Sequence, residues 1–208
     1  KSVEYAIFHS PYTKLVMRSY ARLLWNDFLS NPSNPELAKL APFKNLSKEE
    51  SYVDRNLQKV LDDISVSGFN RQVQPSTLLA RRLGNTYCAS LYGGLLSLLS
   101  NVSDENLQKK RILMFSYGSG LAATMFSLAP RGSLASITKA FDFKNRLDSR
   151  IATSPEFFNK ALALREKTHA IGNYVPTGKI EGEPLPMFKG TYQLSKIDEL
   201  KRRTYARV

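Results

Sequence analysis

Strands and helices alternate along this sequence, which predicts an α/β protein with a mixed β-sheet flanked by helices. Two observations carry that reading. Short runs rich in apolar, aromatic and β-branched residues, at Val3–Phe8, Arg111–Tyr117 and Leu121–Leu128, read as strands. Between and after them lie segments with helical spacing and recognisable start signals, above all Ser47 with Glu50 and Thr153 with Glu156. A hydrophobic content of 42% in 208 residues is enough to build a buried core.

The first strand, Val3–Phe8, runs directly into His9. Ser10 then stands where an N-cap belongs, and Pro11 suits the first helical position. Leu15, Leu23, Leu24 and Phe28, with Arg18, Arg22 and Asp27 between them, carry this helix to about Leu29. Asn31–Pro35 holds two prolines and two asparagines and reads as a loop. The Ser47–Glu50 capping box opens a helix through Tyr52, Val53, Leu57, Val60, Leu61 and Ile64, which ends before Pro75. Leu78–Leu83 reads as a strand, Gly84-Asn85 as a turn and Thr86–Leu99 as a helix. Arg111–Tyr117 and Leu121–Leu128 flank the turn Gly118-Ser119-Gly120. Thr153 and Glu156 box Pro155 at the start of a helix to about Ala170. Gly182–Pro186 reads as a loop, Gly190–Ile197 as a last strand, and a basic tail follows.

Composition narrows the function classes. No apolar run reaches the roughly 18 residues that span a bilayer. The longest, Leu91–Leu99, is broken by Gly93, Gly94 and Ser97. Lys1–His9 reads as a strand rather than a charged leader with an apolar centre. The single cysteine, Cys88, has no partner for a disulfide and no cysteine neighbours for a zinc site, which fits a reducing, cytoplasmic setting and no metal. Thirty Lys and Arg against 18 Asp and Glu leave a charge of +12, which invites phosphate-bearing partners. The cations are spread along the chain, with one cluster at Lys201, Arg202, Arg203 and Arg207, and no nucleic-acid-binding motif accompanies them.

Three local patterns carry candidate chemistry. Phe8-His9-Ser10-Pro11-Tyr12 puts a histidine between a strand and a helix, where α/β folds commonly place reactive groups. Its imidazole either assists at a carbonyl near neutral pH or is a turn histidine satisfied by backbone. Gly84-Asn85-Thr86 opens a helix, and Asn85 either aims its amide at a ligand oxygen or makes a local turn bond. Gly118-Ser119-Gly120 either brings backbone N–H groups close to a ligand or forms a tight β-turn. His169, late in its helix, reads as structural.

The order of these patterns resembles the C-terminal half of the thiolase-like superfamily. Longer strings then resemble one family, the 3-hydroxy-3-methylglutaryl-CoA synthases. They are Ile7-Phe8-His9-Ser10-Pro11-Tyr12-Thr13-Lys14-Leu15-Val16, Ala21-Arg22-Leu23-Leu24-Trp25-Asn26-Asp27-Phe28, and Phe115-Ser116-Tyr117-Gly118-Ser119-Gly120-Leu121-Ala122-Ala123-Thr124. Arg146-Leu147-Asp148-Ser149-Arg150 and Arg202-Arg203-Thr204-Tyr205-Ala206-Arg207 fit as well, so the resemblance runs the length of the chain.

That resemblance implies a C-terminal half of a thiolase-like fold over residues 1–208, working in the condensation of acetyl-CoA with acetoacetyl-CoA to HMG-CoA in isoprenoid and sterol biosynthesis. It implies His9 as the catalytic histidine that holds acetoacetyl-CoA and assists at its carbonyl. It implies Asn85 and Ser119 as substrate-binding residues, Lys14 as a lysine near the coenzyme A phosphates, and Arg18 where the family has a second, substrate-contacting lysine. Arg keeps the charge there but changes the donor geometry. Tyr87, Tyr117 and Gly118 are expected to line the pocket. The family's nucleophilic cysteine and base glutamate belong to an N-terminal half, so Cys88 is not expected to be the nucleophile. The expected partners are acetyl-CoA, acetoacetyl-CoA, the N-terminal half and a second copy in a homodimer, with no nucleic acid and no membrane. Coenzyme A thioesters are substrates, so no cofactor is implied. Alone, the chain is expected to be inactive and to expose an apolar face, and its alternative role is that of a non-catalytic CoA-binding module.

Overall fold

Period-two burial along the first strand sets the layers of the structure. In β1 (Tyr5–Phe8), Ile7 points to one face and Ala6 and Phe8 to the other, and all three are buried. The computed structural model describes residues 3–180, 183–184, 187 and 189–208. They divide into two units, residues up to Ser149 and Arg150–Val208.

In the first unit β1 pairs in parallel with β2 (Ile112–Gly118), and β2 pairs antiparallel with β3 (Ala122–Leu128). The sheet is therefore mixed, as the alternation of elements suggests. Helix α1 (Thr13–Ser30) packs against α3 (Arg55–Gln72), and their Val16, Tyr20 and Phe69 meet Ala6 and Phe8 on one sheet face. Helix α5 (Ser90–Asn101) covers the other face, where Leu91 and Leu98 meet Ile7, Ile112 and Met114. Gly94 makes that approach possible, since a Cβ there would come within 2.6 Å of Ile7 Cγ2. A further core joins Trp25 and Phe28 of α1 to Leu37, Leu40, Leu57 and Leu61. Strand β3 leaves Met125 and Leu128 exposed, and Leu121 at the hairpin tip is 99% exposed.

Several elements differ from the sequence reading. The first helix begins at Thr13, capped by the extended backbone of Tyr12 without a side-chain bond. Ser10 is not the N-cap: it lies three residues before the first helical position, with its N–H bonded to Ser90. The loop read at Asn31–Pro35 ends early, and Pro35–Phe43 forms a 3₁₀ helix capped by Asn34. The Ser47–Glu50 capping box is present, but its helix α2 (Lys48–Val53) stops at Asp54, whose carboxylate caps α3 instead. Leu78–Leu83 is a helix, α4, and not a strand. Its Leu, Ala and Arg residues favour helix and none is β-branched, so a short apolar run misled. The helix read from Thr86 starts as a 3₁₀ turn at Tyr87–Ala89 before α5. Short helices α6 (Asp104–Leu107), α7 (Ala135–Phe141) and α8 (Phe143–Asp148) complete this unit.

The second unit holds helix α9 (Pro155–Thr168), a two-residue ladder of β4 (Lys179–Ile180) with β5 (Glu183–Pro184), and an antiparallel pair, β6 (Tyr192–Ile197) with β7 (Arg203–Arg207). The N-cap of α9 is Ser154 rather than Thr153, since Pro155 takes the first helical position and Phe157 N–H bonds Ser154 Oγ. The basic tail is a strand. The loop read at Gly182–Pro186 falls mostly outside the described residues, and Glu183–Pro184 within it pairs with β4. No described helix is long and apolar enough to cross a membrane.

Candidate active site

Two peptide bonds fix the segment around His9. The His9 N–H donates to the Phe115 carbonyl at 2.8 Å, which prolongs the β1–β2 pairing by one rung. The next N–H, of Ser10, donates to Ser90 Oγ at 2.8 Å. The half-buried imidazole packs edge-on to Tyr117, with ring centroids 5.4 Å apart, and Tyr117 in turn stacks on Phe115. No described residue hydrogen-bonds the His9 ring nitrogens. Because β1 and β2 run parallel, His9 and Gly118 lie at the same carboxyl edge of the sheet, where α/β folds bind ligands.

Asn85 belongs to a second arm. Its Oδ1 accepts the Tyr87 N–H at 2.8 Å. An N–H can only donate, so the amide oxygen must face it and the Asn85 NH2 is turned away with two free donors. Of the two alternatives read from the sequence, the local turn bond is present. Tyr87 is exposed and has a φ of 50°, a left-handed conformation that is strained for a bulky residue. This arm continues into α5, and Thr86 and Ser90 line one small cavity together with Phe8 and Ser10. The His9 and Asn85 arms thus lie side by side.

Ser119 sits at the tip of the β2–β3 hairpin, closed by the Leu121 N–H to the Gly118 carbonyl at 3.1 Å. Gly118, Ser119 and Gly120 are exposed, and a Cβ at either glycine would meet nothing. Packing therefore does not dictate the glycines. Lys14 and Arg18 stand four residues apart on the exposed face of α1, with no salt bridge among the described residues. The helix has no acidic residue in its first turn and no side-chain cap, so its leading N–H groups and Lys14 form a positive end.

Two candidates stand apart. Cys88 is exposed in the Tyr87–Ala89 turn, and no cluster of metal-binding side chains occurs among the described residues. His169 lies in the second unit, where its Nδ1 is 3.1 Å from the Glu166 carbonyl and its own carbonyl accepts from Arg203. Nothing in the sequence singles out Ser90, because its role depends on a contact 80 positions away.

Residues 1–208 match the family model described as hydroxymethylglutaryl-coenzyme A synthase C terminal. Hydroxymethylglutaryl-CoA synthase A of Dictyostelium discoideum is 46% identical over 205 residues, covering 99% of this chain and 42% of that protein. The human cytoplasmic hydroxymethylglutaryl-CoA synthase is 42% identical over 213 residues, covering 98% of this chain and 40% of that protein. Among solved structures, MvaS in complex with 3-hydroxy-3-methylglutaryl coenzyme A is similar with a TM-score of 0.67 at 22% identity, over 99% of this chain and 41% of that one. The chain spans about two fifths of the length of the curated relatives it matches.

Proposed function

The chain belongs to the hydroxymethylglutaryl-CoA synthase family and has the thiolase-like fold of its C-terminal domain, and from that premise we propose that it supplies the acetoacetyl-CoA side of the active site. The supporting observation is that His9 packs on Tyr117 at the carboxyl edge of the sheet, while Ser10 and Thr86, the neighbours of His9 and Asn85, line one small cavity. An N-terminal half contributes the cysteine that takes the acetyl group from acetyl-CoA, and the glutamate that removes a methyl proton. The resulting carbon nucleophile attacks the ketone of acetoacetyl-CoA. The new C–C bond turns that ketone oxygen into an alkoxide, which is protonated by His9 in its imidazolium form, and the proton the glutamate removed returns the imidazole to that form. Water then cleaves the thioester to the cysteine and frees HMG-CoA.

The other residues hold the second substrate. The Asn85 NH2 and Ser119 donate to its carbonyl oxygens, and Tyr117 and Tyr87 bound the acyl end beside Gly118. Lys14, Arg18 and the positive start of α1 take the coenzyme A phosphates. No cofactor is required. The complete protein acts as a homodimer in the cytoplasm, and the exposed apolar residues of β3 are covered by other parts of it.

The test is reconstitution. These 208 residues alone should give no condensation of acetyl-CoA with acetoacetyl-CoA, and joined to the N-terminal half they should give it. Turnover by the isolated chain would overturn the division of labour.

A further inference from the structure

We propose that Ser90 is a positioning residue for the condensation: its hydroxyl ties the His9 arm to the Asn85 arm and so sets the distance between the two groups that grip the reacting carbonyl. The inference rests on the function proposed above, and nothing in that function requires it.

The geometry is specific. Ser90 opens α5 and is 5% exposed. Its Oγ accepts the Ser10 N–H at 2.8 Å and stands 3.5 Å from the Ser10 carbonyl, at the outer limit of a hydrogen bond. Ser10 is next to His9, whose own N–H is held by Phe115. The peptide units on both sides of His9 are thus anchored, one to β2 and one to Ser90. What freedom remains is side-chain rotation, and Tyr117 restricts it.

The other end of the tie reaches Asn85. Between Asn85 and Ser90 the chain is a closed turn, with Tyr87 N–H on Asn85 Oδ1 and Ala89 N–H on the Thr86 carbonyl. Hydrogen bonds as well as the chain therefore couple Ser90 to Asn85. Elsewhere α5 meets β1 through apolar packing, with Ile7 seated against Gly94. The Ser90–Ser10 bond adds a directional polar contact to that packing.

The experiment uses the complete enzyme, with the variants Ser90→Ala, Ser90→Thr, His9→Ala and the double variant His9→Ala/Ser90→Ala. Acetyl-enzyme formation from acetyl-CoA and condensation with acetoacetyl-CoA are measured separately. Ser90→Ala should slow condensation about 10- to 100-fold, the scale of a small misplacement of a catalytic group, and leave acetylation at the wild-type rate. Ser90→Thr keeps the hydroxyl and should restore condensation. In the His9→Ala background Ser90→Ala should add less than its full factor, because the distance it sets has lost one of its two ends. Should Ser90→Ala fail to fold, Ser90→Cys, whose thiol is a weak acceptor, serves with the same split expected. Equal losses in both half-reactions, a Thr variant as slow as the Ala variant, or a full additional loss on top of His9→Ala would each overturn the inference. Normal condensation by His9→Ala would instead sink the proposed function itself, and the two failures are told apart by that variant.

Discussion

Replacing Asn85 with Asp separates what this residue does for the fold from what it does for the substrate. Its Oδ1 holds the Tyr87 N–H at 2.8 Å, and an Asp oxygen can make the same bond. The strained Tyr87, at φ 50°, costs about 1–3 kcal/mol and stays supported. Asn85 is exposed, so an added charge pays little desolvation. Stability should therefore change by less than about 0.5 kcal/mol, the range of surface substitutions. The NH2 is lost, however, and a donor aimed at a developing oxyanion contributes about 2.7–4 kcal/mol, or 10²–10³ in kcat. Asn85→Ala should lose the same catalytic factor and also the turn bond, which adds about 0.5–1.5 kcal/mol of destabilisation. Thermal melts and condensation rates of the complete enzyme read both quantities. If Asn85→Asp melts like the wild type and condenses within threefold of it, Asn85 is a turn residue and its amide touches no reacting atom.

Lys14→Ala should raise KM for acetoacetyl-CoA and leave kcat nearly unchanged, since an exposed ammonium on a phosphate binds ground and transition states alike. The effect should shrink with salt, as exposed charges are screened over about 10 Å at 0.1 M, and an unchanged KM at low salt would remove Lys14 from the phosphate site. At Asp104, hydrogen bonds from the Ser133 hydroxyl and the Leu134 N–H, with a further one from Gln108, hold the carboxyl below the usual carboxylate range. A depressed folded pKa means stability that is present above the unfolded value of about 3.9 and lost as pH falls through the folded one. Wild type should melt above Asp104→Asn at neutral pH, and the gap should close on acidification below about pH 4. A gap that is constant across that range would show that the charge of Asp104 does not stabilise the 133–134 segment.

Legibility in the sequence followed how local each signal was. Strand β1 was readable because Ala6, Ile7 and Phe8 are apolar on both faces, as a strand covered on both sides must be. The Ser47–Glu50 box was readable because both of its bonds span three residues. Leu78–Leu83 was misread because a six-residue run with two leucines at its start fits either period. The helices α7 and α8 escaped because neither has a side-chain cap, and Asp142 between them takes a left-handed turn at φ 42° without a glycine to announce it. Strand β7 escaped because its arginines and tyrosine lie exposed on a two-stranded ladder, where no apolar alternation is needed. Among the candidate residues, His9 and Gly118-Ser119-Gly120 stand out because they lie in strings that resemble a family, and Asn85 because Gly84-Asn85-Thr86 reads as the opening of a helix. Ser90 does not, because a serine at a helix start is ordinary, and its bond to Ser10 exists only once β1 and α5 have packed.

The central claim is that His9 serves the second substrate and not the nucleophile. Single-turnover kinetics of the complete enzyme with His9→Ala test it most directly. Acetylation of the cysteine from labelled acetyl-CoA should proceed at the wild-type rate, and the acetyl-enzyme should then accumulate because condensation with acetoacetyl-CoA is slowed about 10²–10⁴-fold. Failure to form the acetyl-enzyme, with condensation normal when a preformed acetyl-enzyme is supplied, would contradict it.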